Sequence, residues 1–76
     1  VLSANLPALE EIDFAIICKQ VREHIRYTQQ EMAKFFGVSK PTYVNWELGK
    51  TVPSGKVAVW LYNTHKQMLL ELQQYK

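Results

Sequence analysis

The side chains with intrinsic reactivity are few and scattered: Cys18 stands alone, and His24 and His65 lie far apart in the chain. One cysteine cannot close an internal disulfide, and two distant histidines without a second cysteine have no zinc-ligand spacing. No metal, no other cofactor and no catalytic residue is therefore expected. Cys18, among Ile16, Ile17 and Val21, reads as a small core hydrophobe. A chain of 76 residues also offers little wall for the concave pocket that catalysis generally uses, so a binding module is expected rather than an enzyme. The remaining chemistry is hydrogen bonding and charge. Residues 1–27 carry Glu10, Glu11, Asp13 and Glu23 against Lys19, Arg22 and Arg26, a net −1. Residues 28–76 carry Lys34, Lys40, Lys50, Lys56, Lys66 and Lys76 against Glu31, Glu47 and Glu71, a net +3. A positive surplus confined to one part of a small domain points mildly to a polyanionic partner, because lysines that neutralise phosphates release counterions.

These side chains must be held by something, and the composition allows a fold: 47% hydrophobic and 21% charged lies well outside the disordered range. The longest apolar runs, 14–18 and 57–62, are far below the roughly 18 residues of a membrane span. Pro7, preceded by Ser3 and Asn5, suits a helix start, and Leu9, Ile12, Ile16, Ile17, Val21 and Ile25 recur at helical steps through Tyr27. Glu10, Glu11 and Asp13 then fall in its opening turns, where the helix dipole favours them.

Thr28-Gln29-Gln30-Glu31 forms a capping box for a second, short helix that buries Met32, Ala33 and Phe36 and stops at Gly37. Ser39 caps a third helix with Pro41 in its first turn, running from Lys40 to Leu48 and ending at Gly49. After a loop over 50–53, Ser54 caps a helix carrying Val57, Ala58, Trp60 and Leu61. Asn63 and Thr64 either break the chain before a fifth helix with Met68, Leu69, Leu72 and Tyr75, or lie inside one long helix; the reading favours a break. No segment alternates as a strand, so the fold class is all-α, a bundle of four to five helices in one domain over 1–76, with 1–7 as an N-terminal arm.

Two short helices joined by a three-residue turn containing glycine form the arrangement that lays a second helix in the DNA major groove. The segment 28–49 resembles the helix-turn-helix of the lambda-repressor-like family, including Cro and xenobiotic-response-element type regulators. It has the small residue where the two helices touch (Ala33), the turn glycine (Gly37), the following aliphatic (Val38) and the Ser cap (Ser39). Gln29, Trp46-Glu47, Gly49-Lys50 and Pro53-Ser54 also match the family pattern. Two positions depart from it. Tyr43 stands where the family has Ile or Val, and is expected to bury its ring while its hydroxyl stays at the surface, within reach of a phosphate or a backbone group. Pro41 stands where a polar base-reading side chain is common.

The resemblance implies a sequence-specific regulator of transcription, probing double-stranded DNA as a homodimer in the cytoplasm and acting as a repressor. Helical geometry puts Lys40, Pro41, Val44, Asn45 and Leu48 on the outward face of the third helix, with Tyr43 and Trp46 turned to the core. Lysine suits guanine O6 and N7, asparagine suits adenine N6 and N7, and proline or valine packs on a thymine methyl group. Gln29, by resemblance, contacts a phosphate, and Thr42, Lys50 and Lys56 are expected on the DNA backbone. A dimer interface is expected on Leu69, Leu72 and Tyr75, or on an arm around Leu2 and Leu6. Trp60, Leu61, Met68, Leu69, Leu70 and Leu72 otherwise read as core. Two alternatives keep the same fold: the DNA-binding component of a toxin–antitoxin operon, with a toxin as further partner, and a protein-interaction adaptor that does not read DNA.

Overall fold

The computed structural model describes residues 12–74, which form four helices in the order α1 (Phe14–Ile25), α2 (Gln29–Phe36), α3 (Lys40–Leu48) and α4 (Gly55–Gln74). No strand occurs among the described residues. The arm over 1–7, the start expected near Pro7, and Leu2, Leu6, Leu9, Glu10, Glu11 and Tyr75 lie outside them.

The helix starts and stops follow from local chemistry. Asp13 is extended backbone (φ −89°, ψ 91°) and its side chain accepts from the amides of Ala15 and Ile16, so α1 begins at Phe14. An uninterrupted helix from Pro7 is therefore not what forms: Asp13 acts as the cap rather than as an acidic residue of the first turn. The same helix ends at Ile25, not Tyr27, because Arg26 turns left-handed (φ 63°) and sends its amide back to Arg22 and Glu23. The capping box forms as read, with Glu31 N donating to Thr28 Oγ1 at 3.1 Å and Thr28 N donating to Glu31 Oε1 at 2.8 Å. Gly37 (φ 73°) and Gly49 (φ 77°) close α2 and α3 in the left-handed conformation that a side chain resists.

One prediction fails at the C-terminal end. The chain does not break at Asn63–Thr64; Gly55 to Gln74 is a single helix of 20 residues. Neither residue is forced out of helical geometry by its own chemistry, and continuous packing of α4 along α1 outweighs their weak helix propensity.

The core draws on every helix: Phe14, Ile17, Cys18 and Val21 from α1, Met32 and Ala33 from α2, Tyr43 and Trp46 from α3, and Leu61 from α4. Met68 is also buried, and Phe36, Val38, Val57 and Ala58 pack on the core from its edge. Cys18 has no exposure, and burial pushes its thiol up to about 12, with the Glu47 charge adding to the shift. Five residues read as part of the apolar helix faces prove to be exposed, Ile16, Trp60, Leu69, Leu70 and Leu72, whereas Leu48 is exposed as expected of an outward residue.

Candidate nucleic-acid interface

α2 and α3 are joined by Gly37, Val38 and Ser39, with Val38 N donating to the Ala33 carbonyl at 2.9 Å. Ala33, 2% exposed, lets the two helices approach closely. Ser39 Oγ accepts from Thr42 N and lies 2.8 Å from Thr42 Oγ1, so the first turn of α3 is fixed by both side chains.

α3 has two unlike faces. Tyr43, Trp46 and Glu47 point inward and are buried. Lys40, Pro41, Thr42 and Leu48 are exposed, while Val44 and Asn45 are half-buried at the edge of the outward face. Lys50 follows Gly49 with its amide on the Asn45 carbonyl at 3.0 Å, and its side chain is exposed, as is that of Lys56 near the start of α4. At the head of α2 the capping box occupies the amides of Thr28 and Glu31, which leaves those of Gln29 and Gln30 as the donors open to an anion.

Beneath this surface lies a polar junction the sequence reading did not contain. Glu47 is 4% exposed, yet both of its carboxylate oxygens are satisfied. Arg22 Nε donates to Oε2 at 2.6 Å and Arg22 Nη2 to Oε1 at 3.3 Å, a forked ion pair across α1 and α3. Tyr43 Oη donates to Oε2 at 2.6 Å and Gln29 Nε2 to Oε1 at 3.0 Å. Burial alone would push the Glu47 carboxyl up, but the hydrogen bonds from Arg22, Tyr43 and Gln29 outweigh it and hold the group below its ordinary value. The hydrogen bond to Glu47 raises Arg22 further, and burial raises the Tyr43 phenol. Among the described residues no buried side-chain polar atom lacks a partner.

The Tyr43 hydroxyl is therefore not at the surface. Its ring is fully buried, and its one proton goes to Glu47, the Cys18 carbonyl lying farther off at 3.2 Å. Gln29 does sit at the head of α2, but one of its two side-chain amide hydrogens is turned inward to Glu47. A signal for Glu47 was present: positions 43, 46 and 47 share one helical face, so a charge at 47 beside two core aromatics needed a buried partner.

Residues 19–59, more than half of the chain, match the family model for helix-turn-helix proteins. The chain belongs to the lambda-repressor-like helix-turn-helix family. Comparison with curated proteins and with solved structures gave no match. The matched span of this helix-turn-helix protein covers most of α1, all of α2 and α3, which meet at Glu47, and the start of α4. Family membership makes the chain a DNA-binding transcription regulator. No helix among the described residues is long and apolar enough to cross a membrane, and none of their His, Cys, Asp and Glu side chains group as a metal site.

Proposed function

We propose that this regulator is a repressor that binds a pseudo-palindromic site on double-stranded DNA as a homodimer, with α3 in the major groove. The observation that carries the reading is the division of α3, in which Tyr43, Trp46 and Glu47 anchor one side while Lys40, Pro41, Val44 and Asn45 are left outward or at the edge. On this reading Lys40 pairs with guanine and Asn45 with adenine, while Pro41 and Val44 supply apolar contact to thymine methyl groups. Gln29, Thr42, Lys50 and Lys56 contact the sugar–phosphate backbone and fix the docking register. Residues 1–76 act as one DNA-binding domain.

A single reading helix covers only a few base pairs, so two copies with half-sites about 34 Å apart are needed for a useful site. Leu69 and Leu72, 44% and 56% exposed and one turn apart on α4, support an interface there. A second reading is favoured by one observation: Phe35 is 53% exposed and packs against Tyr27 and Trp60, an aromatic surface suited to a protein partner such as a toxin. Selection from a randomised duplex pool, paired with sedimentation with and without the enriched duplex, tests the proposal. An enriched pseudo-palindrome bound by two copies is expected. Enrichment of nothing, or a monomer at tens of micromolar with and without DNA, would overturn it.

A further inference from the structure

We propose that Glu47 is a positioning residue for DNA binding, which holds the Gln29 side-chain amide at the head of α2 in the orientation that meets a phosphate. The inference rests on the reading of Gln29 as a phosphate contact. A glutamine in the first turn of an exposed helix ordinarily samples many rotamers, and binding must freeze one of them. Here one hydrogen of Gln29 Nε2 is already committed to Glu47 Oε1 at 3.0 Å. The nitrogen must be the atom facing inward, because an amide oxygen there would oppose the carboxylate. The second amide hydrogen has no hydrogen-bond partner among the described residues, and the backbone amides of Gln29 and Gln30 open the same helix end.

Glu47 can serve as a fixed point because it cannot swing. Arg22 of α1 grips both of its oxygens and Tyr43 of α3 holds Oε2, so a residue of each of the first three helices meets the same carboxylate. The Arg22 ion pair also offsets the negative charge that would otherwise repel a nearby phosphate. The sequence alone shows Gln29 and Glu47 as separate family matches; the structure makes them one unit.

Charge gives the test its sign. Replacing Glu47 by Gln removes a negative charge and frees that of Arg22, so electrostatics alone would tighten binding to DNA, whereas loss of positioning loosens it. The measurement is a double-mutant cycle with Gln29→Ala and Glu47→Gln, using a fluorescein-labelled duplex of mixed sequence at low ionic strength and a temperature where circular dichroism shows every variant folded. Gln29→Ala is expected to weaken binding about fivefold. Glu47→Gln is expected to weaken it comparably, and the double variant no further, within about twofold. Glu47→Gln binding as tightly as the parent, or losses that multiply in the double variant, would overturn the positioning role and leave the Gln29 contact standing. No effect of Gln29→Ala would remove that contact and this inference together. If Glu47→Gln does not fold, 15N relaxation of the side-chain amides in the parent protein decides: Gln29 is expected to be rigid beside a mobile Gln30, and equal mobility would overturn the proposal.

Discussion

Tyr43 and Glu47 lie one turn apart on the same helix, and the phenol of the first donates to the carboxylate of the second at 2.6 Å inside the core. The aromatic ring thus fills the place of a family aliphatic while its hydroxyl serves as the third donor to a buried anion. Tyr43→Phe keeps the ring and removes only that donor. It is expected to lower the unfolding free energy by about 2 kcal/mol, as for a buried hydrogen bond to a charged group. Urea denaturation checks this, and a phenylalanine variant as stable as the parent would contradict it.

Acid should weaken the fold in two stages. Burial lowers the His65 imidazole below its ordinary value, so the fold prefers the neutral ring. That contribution is complete above the unfolded value of about 6.5 and is lost as pH falls through the folded one. Glu47 is also lowered, so its contribution is complete above about 4.3 and is lost as pH falls through its own folded value. Urea midpoints should therefore decline first below pH ~6.5 and again below pH ~4.3. His65→Gln is expected to remove the first decline and Glu47→Gln to shrink the second. A midpoint constant from neutrality to pH ~4 would contradict the assignment of His65.

The turn between α2 and α3 makes a separate prediction. Gly37 has φ 73°, and a Cβ added there would meet nothing within 4 Å. Gly37→Ala therefore costs only the left-handed backbone penalty, about 1 kcal/mol, with no steric part. Gly37→Asn should cost less, because asparagine tolerates that conformation. Equal losses for the two, measured by thermal unfolding, would show that contacts rather than backbone conformation make this position glycine.

The legible parts of the fold were those governed by neighbours in sequence. Thr28 with Glu31, Ser39 with Thr42, and Gly37 and Gly49 each act within a few residues, and α2 and α3 have the ends these residues imply. Apolar spacing carries a helix through Asp13 without a break, because it does not register that the Asp13 side chain caps the amides of Ala15 and Ile16 and holds its own backbone extended. The length of α4 was misread because its continuity depends on packing against α1 rather than on Asn63 or Thr64. The outward face of α3 followed from helical spacing. The junction at Glu47 did not, since Arg22, Gln29 and Tyr43 reach it from three helices and no local pattern joins them.

Whether the outward face of α3 reads bases is decided by repeating the duplex selection with Asn45→Ala and with Lys40→Ala. Each side chain is expected to govern its own position in each half-site, worth about 1 to 3 kcal/mol of discrimination. Asn45→Ala should relax one adenine and Lys40→Ala one guanine, with half-site spacing and all other positions kept. Both variants enriching the same site as the parent, with the same stringency at every position, would show that neither side chain reads a base.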